Sequence, residues 1–418
     1  MRDTKKIKID KSLPSQSGKD CSEVKVATGL ERLCCNQINY NYRKRLKGKR
    51  LGLLANPASV DTSFRHASTL INQTFPEQLK ALFSPQHGFH AEKQDNMIES
   101  DHTVDPVLKI PIFSLYSRTR IPTKEMFDLI DTLIVDIQDV GTRVYTFIYT
   151  ISYCLEAAAK YEKEVIILDR PNPVGGVQVE GNILNKEYSS FVGRFPIPMR
   201  HGLTVGEISS CFNSMFIAQK CDLEIISMTG WKRDMLFSDT NLPWIAPSPN
   251  LPTPTSALVY SGQVVWEGTN ISEGRGTTQP FEIFGAPFID TEKILNQVDG
   301  RIDGAVLRPI AFQPTSGKWK DEVCRGFQIH VVEPKLFKPY KTSLILLQQI
   351  IKNHSDQFRW KEPPYEYEYV KLPIDLILGD RKLREAVEQL ENIDAVEALW
   401  KKPLDKFKQM IRKFYLYE

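Results

Sequence analysis

The sequence predicts an α/β fold, with a mostly parallel sheet covered by helices on both faces and a smaller α+β C-terminal domain after it. Short, nearly continuous apolar runs alternate with segments whose apolar residues return at helical spacing, the pattern of strands buried on both faces. Polar residues gather just past the carboxyl ends of those runs, the edge at which open α/β sheets hold ligands. A Pro-rich passage from Pro243 to Pro252 then blocks regular structure, and the texture changes beyond it.

Taken in order, residues 1–45 are polar, Lys-rich and aperiodic, and read as a flexible arm in which a short helix begins near Gly29 to Leu33. Leu51 to Ala55 is a buried-strand signature closed by Asn56-Pro57. Ser63 is placed to cap a helix through Leu70 and Ile71, and Leu79 to Phe83 reads as the next strand. Ile110 to Leu115 is another, and Thr123, just after Pro122, caps a helix over Met126 to Ile130. Thr132 to Ile137 is an apolar strand ending in polar residues, Tyr145 to Tyr161 is helical, and Val165 to Leu168 is a further strand. Later, Val259-Tyr260, Val264 to Trp266 and Phe327 to Val332 read as short strands, with helices over Leu344 to Ile351 and Leu383 to Phe414. At 418 residues the chain exceeds what one hydrophobic core usually supports, so the expected division is an arm (1–45), a parallel-sheet domain (46–254) and an α+β domain (255–418).

Composition narrows the function. A hydrophobic fraction of 41% with 25% charged residues suits a packed globular chain and excludes wholesale disorder. Lys and Arg number 54 against 51 Asp and Glu, a balance that gives no basic stripe and no expectation of a nucleic-acid partner. No apolar run approaches the roughly 18–20 residues of a membrane span. Met1 to Leu13 lacks the apolar centre of a secretory signal, and the seven scattered cysteines have no C-x-x-C spacing. Both features point to reduced thiols and a cytoplasmic protein. The first strand leads into Asn56-Pro57-Ala58-Ser59 rather than a glycine-rich phosphate loop, so no nucleotide cofactor is expected.

Five stretches carry candidate chemistry. Ser84 to His90, continuing through Glu92 to Asn96 and on to Glu99 and His102, is long, polar and glycine-containing, and begins at a strand end. Its histidines, His87, His90 and His102, lack the register that sets two imidazoles on one helix face, so no metal is expected. Asp136 to Thr146 sets Asp136 and Gln138 on one side of a strand end, with Asp139, Arg143 and Tyr145 beyond. The structural alternative has Asp139 capping the helix that Arg143 enters, with Asp136 paired to Arg143. Asp169-Arg170-Pro171-Asn172 offers an Arg able to grip a carboxylate in bidentate fashion, or else an internal Asp–Arg pair. Arg200 and His201 precede Thr204 and Glu207, which fit a capping box. Glu267 to Thr278 combines glycines and hydroxyls, which admit close backbone approach, with Glu267, Asn270, Glu273 and Arg275.

Seven motifs in order then carry a resemblance. They are Pro85-x-His87-Gly88, Asp136-Ile137-Gln138-Asp139-Val140-Gly141-x-Arg143, Leu168-Asp169-Arg170-Pro171-Asn172-Pro173 and Pro198-x-Arg200-His201-Gly202. Gly230-Trp231-x-Arg233, Ala246-Pro247-Ser248-Pro249-Asn250-x-Pro252-Thr253 and Glu267-Gly268-Thr269-Asn270-x-Ser272-x-Gly274-Arg275-Gly276-Thr277-Thr278 complete them. Together they resemble the NamZ-type exo-β-N-acetylmuramidases from about Gly48 onward, more weakly after about Asp290. The resemblance implies a Rossmann-like N-terminal domain, a smaller C-terminal domain and an active cleft between them. It further implies a glycan or muropeptide substrate from whose non-reducing end N-acetylmuramic acid is removed, without a cofactor.

Such chemistry uses two carboxylates, about 5–5.5 Å apart for retention of configuration and about 6.5–9.5 Å apart for inversion. Glu92, Glu99, Asp139 and Glu273 are the candidates. Gln86, His87, Asp136, Arg143, Tyr145, Asp169, Arg170, Asn172, Arg200, His201, Glu267, Asn270 and Arg275 are the candidate substrate-binding residues, Arg170 being suited to a lactyl carboxylate. One position departs from the family pattern, since many members carry Glu where this chain has Gln86. Gln can neither donate a proton as a general acid nor act as a carboxylate nucleophile. Either Glu92 or Glu99 takes over, or the chain is a catalytically altered muropeptide-binding protein.

Overall fold

The computed structural model describes residues 26–34, 40–93, 97–117 and 119–418. Its larger sheet has seven strands: β1 (Leu51–Ala55), β2 (Leu79–Ser84), β3 (Thr103–Val104), β4 (Pro111–Ser114), β5 (Thr132–Asp136), β6 (Glu164–Leu168) and β7 (Asp222–Ile226). They lie in the order β3-β4-β2-β1-β5-β6-β7, and every pair is parallel except β3–β4. Chain order reverses between β1 and β5, so a topological switch point lies there.

The strands read as unbroken apolar runs because each buries both faces. In β5, Leu133 and Val135 join one apolar cluster while Ile134, between them, joins the other. Helices α1 (Gly29–Cys34) and α3 (Ala67–Thr74) supply Leu30, Leu33, Leu70 and Ile71 to the second cluster, and Leu46 of α2 (Tyr40–Leu46) joins them. The opposite face is covered by α4 (Lys124–Asp128), α5 (Phe147–Lys160) and α6 (Val205–Met215). The part of the expected arm over residues 26–34 is thus packed against the sheet, and α2 follows it; residues 1–25 lie outside the described residues. Thr204 and Glu207 form the expected capping box, and Thr123 caps α4. The cap of α3 is His66 rather than Ser63, its ring nitrogen accepting from Ser68 N.

A smaller antiparallel sheet follows, β8 (Ile283–Ala286), β9 (Ala305–Phe312) and β10 (Cys324–Val331) in the order β8-β10-β9. Around it lie α7 (Pro254–Gln263), α8 (Thr291–Val298), α9 (Pro339–Asn353), α10 (Pro373–Leu378), α11 (Arg381–Glu388) and α12 (Ile393–Ile411). The runs Val259-Tyr260 and Val264 to Trp266, expected as strands, are helical instead, the second as a 3₁₀ turn over Val264–Gly268. The physical reason is local: Thr253 caps and Pro254 fills the first helical turn, where its missing N–H costs nothing. Gly262 then lets α7 lie directly on α9, since a Cβ there would fall 1.9 Å from the Pro339 carbonyl oxygen.

One apolar cluster runs continuously from Leu54 and Leu133 to Leu344 and Ile411, so the two sheets share a core. Residues 415–418 return to the larger sheet, where the Tyr417 hydroxyl lies 2.5 Å from Asp169 and Leu416 N donates to Glu207. Among the described residues no helix is long and apolar enough to cross a membrane.

Candidate active site

The polar residues at the carboxyl edge of the larger sheet are mostly bound to one another. Asp136, fully buried at the end of β5, holds Arg170 through two hydrogen bonds of 2.5 and 2.8 Å. Its partner is therefore Arg170, not Arg143. Arg143 is also fully buried and gives its guanidinium to the carbonyls of Asn182, Ile197, Ile377 and Leu378. The last two close the C-terminus of α10, where carbonyl dipoles favour a cation. Arg143 thus ties the β5 loop to the second sheet's helices.

Asp169 accepts from Thr204, Gly206 N and Tyr417, and burial raises its pKa to about 7. Asn172 braces Leu203 O and Val174 N. Gly141, at φ 74°, passes so close to Asn172 that a Cβ would meet its side-chain oxygen at 2.4 Å. Arg200 donates to Gln178 and the Val174 carbonyl.

Asp139 precedes α5 by several residues and does not cap it. Its carboxylate accepts from Gly141 N at 2.7 Å and faces His201 Nε2 at 3.5 Å, while its Oδ1 is buried without a hydrogen-bond partner among the described residues. Glu92 and Glu99 are exposed: Glu92 lies against His90 N, and Glu99 receives the Tyr367 hydroxyl at 3.3 Å. Residues 94–96 of that loop lie outside the described residues.

A different set converges on a cavity of about 30 Å³ at the seam between the two sheets. That is room for a water or two rather than a sugar ring. Gln86, His87, Tyr145, Glu267 and Arg275 line it, whereas Glu92, Glu99, Asp139 and Glu273 do not. The loop after β2 brings Gln86 and His87, with His87 held at φ 76° and its Nδ1 on Lys93 O. A non-glycine residue in the left-handed region costs energy, which the Lys93 bond helps to offset.

The 3₁₀ turn after α7 brings Glu267, whose carboxylate accepts from Arg275 at 2.7 Å and from the Tyr365 hydroxyl at 2.6 Å. Arg275 also reaches Glu273 at 3.2 Å. Burial disfavours the charge on Glu273, but Lys318, 2.8 Å away, and Arg275 outweigh it and hold the pKa below the usual range. Glu273 is therefore a fixed anion. Asn270 sits outside the cavity, its carboxamide joined to Arg359 N and Gln357 O.

Glu366, which sequence reasoning passed over, also lines this cavity. It sits on a two-residue hairpin closed by reciprocal Tyr365–Glu368 backbone bonds of 3.0 Å. Its carboxylate accepts from Gln86 at 3.0 Å and from Tyr116 at 2.7 Å, and burial raises its pKa above the usual carboxylate range. The alternation of Tyr and Glu over Tyr365 to Tyr369 was the visible signal, an acidic and aromatic run after Pro363-Pro364.

An α/β fold that offers a neutral-leaning carboxyl and a second, cation-bound carboxylate to one cavity holds the parts for acid-assisted cleavage of a glycosidic bond. That is the class of a glycoside hydrolase. Comparison with known proteins makes the class specific. Residues 51–255 match the family described as "Exo-beta-N-acetylmuramidase NamZ, N-terminal", and residues 258–417 match its C-terminal counterpart. The chain is 40% identical over 408 residues to peptidoglycan beta-N-acetylmuramidase NamZ of Bacillus subtilis, covering 97% of this chain and 94% of that protein. Two crystal structures of DUF1343 family proteins from Bacteroides fragilis share the fold. One has a TM-score of 0.84 at 33% identity and covers 94% of this chain and 100% of its own. The other has 0.74 at 27% and covers 94% and 99%. The chain belongs to the NamZ exo-β-N-acetylmuramidase family of glycoside hydrolases.

Proposed function

We propose that the protein hydrolyses the β-glycosidic bond that joins a terminal N-acetylmuramic acid to the rest of a peptidoglycan fragment, releasing the sugar from the non-reducing end. The observation that carries this reading is the shared cavity, to which Gln86 comes from the larger sheet's loop and Glu267 and Glu366 from the second half. In this reading Gln86, His87, Tyr145 and Arg275 contact the sugar, and residues 46–254 and 255–418 act as two domains closing on it. Asp136, Arg143, Asp169, Arg170, Asn172 and Arg200 support that wall through the bonds described above. A closed seam also favours cutting at an end over cutting within a strand, since an end can enter a small mouth. We place the reaction in the cytoplasm, a reading supported by free thiols at Cys34, Cys154, Cys211, Cys221 and Cys324.

Purified protein incubated with N-acetylmuramyl-β-1,4-N-acetylglucosamine is expected to yield both monosaccharides in equal amounts. Tight binding of the disaccharide by calorimetry without turnover would instead favour a muropeptide-binding protein, an alternative that the kinship does not favour.

A further inference from the structure

We infer that Glu366 is the catalytic acid of this chain and that Gln86 is its positioning residue. The inference deepens the proposed function and rests on it. Four features of the fold lead there. Glu366 is 3% exposed yet lines the cavity. Both donors on its carboxylate, the Gln86 amide and the Tyr116 hydroxyl, are neutral, unlike the Arg275 and Lys318 cations that hold Glu273 and the Arg275 that holds Glu267. The two-residue hairpin, whose turn requires positive φ at both Glu366 and Tyr367 (48° and 67°), fixes the Glu366 backbone at the edge of the cavity. Thr146, at the N-cap of α5, makes no capping bond; its hydroxyl donates to the Gln86 oxygen at 2.7 Å and so aims the amide nitrogen at Glu366.

Burial opposes the charged form of Glu366; Tyr116 and Gln86 favour it, Glu267 opposes it and Arg120 favours it. A carboxyl in these surroundings keeps its proton to higher pH than a solvated one. In the step itself the Glu366 O–H bond breaks and the proton goes to the glycosidic oxygen. The C1–O bond breaks with its electron pair on that oxygen, and the rest of the glycan leaves as an alcohol. The water that bonds to C1 releases one proton, which balances the proton Glu366 gave up. Glu366 thus supplies the acid that the loop position occupied by Gln86 cannot, and the amide at Gln86 fixes where that acid points.

The test compares two substrates and two variants. Glu366→Gln is expected to lose about 10²–10⁴-fold in kcat on the disaccharide, the usual share of general acid catalysis. On 4-nitrophenyl β-N-acetylmuramide, whose leaving group departs without a proton, it is expected to lose less than tenfold. Equal losses on both substrates, or none on the disaccharide, would overturn the assignment. Gln86→Glu sets a second carboxyl beside the first, and two such groups share a proton, so the alkaline limb of kcat/KM should move up by at least one pH unit. An unmoved limb would overturn the positioning role, and this readout stands even if Glu366→Gln does not fold. A wild-type chain inert on both substrates would overturn the proposed function and, with it, this assignment.

Discussion

The carboxyl edge of the larger sheet and the hairpin at residues 365–368 both present buried acids to the same side of the molecule, but in different states. At the sheet edge Asp136 is neutralised by a bidentate arginine, and Asp169 collects a hydroxyl, an amide and a phenol. At the hairpin Glu366, like Asp169, takes neutral donors among the described residues, but it opens onto a cavity. Acids whose bonds are all made within the protein stiffen a wall, because removing a partner leaves a buried charge at Asp136 or an unpaired polar group at Asp169. An acid that faces a cavity can pass its proton to whatever enters there. The Asp136 and Asp169 motifs thus belong to the wall, while the cavity draws Gln86 and Glu267 from two other polar motifs and Glu366 from a short run outside them.

The contrast can be broken most severely at Asp136. Asp136→Ala leaves the buried Arg170 unpaired and should cost about 3–5 kcal/mol of unfolding free energy in urea titration. A folded variant with ordinary stability and a raised KM would instead make Asp136 a ligand contact.

Asp169 gives the next effect through pH. Its proton is held to about pH 7 in the folded chain but is lost near pH 4 when unfolded. Between those values the folded state binds more protons, so this group's contribution to stability falls as pH rises through the window. Asp169→Asn should flatten that part of the stability–pH curve, a difference of a few kcal/mol end to end. Tyr417→Phe, which removes one donor from the same buried acid, should cost about 1–3 kcal/mol at neutral pH by thermal or urea unfolding.

The smallest effects sharpen the comparison from the other side. Glu92→Gln and Glu99→Gln alter exposed side chains outside the cavity and should change kcat on the disaccharide less than twofold. A hundredfold loss at either would return catalysis to the loop after β2.

Much of the larger sheet was legible because strands buried on both faces must be apolar throughout, as Leu51–Ala55 and Glu164–Leu168 nearly are. β7 was not, since Asp222 to Ile226 is only half-buried and mixes acids with Leu and Ile. The strands expected at Val259-Tyr260 and Val264 to Trp266 are helical for a related reason: Val259, Val264 and Val265 favour strands in isolation, but the cap at Thr253, Pro254 and packing on α9 decide otherwise. At the site, Gln86, His87, Tyr145, Glu267 and Arg275 could be picked out because motifs beside strand ends and glycines flag them. Glu366 could not be picked out this way. Its role depends on bonds to Gln86, 280 residues away, and to Tyr116, 250 residues away, and no local pattern encodes those.

The bond between Tyr417 and Asp169 spans 248 residues. At a synthesis rate of about 5–20 residues per second, Asp169 is added to the growing chain roughly 12–50 seconds before its phenol partner exists. Through that interval the nascent sheet carries an acid with its cover missing, and any helper protein that shields this edge would have to let go before residues 415–418 can dock.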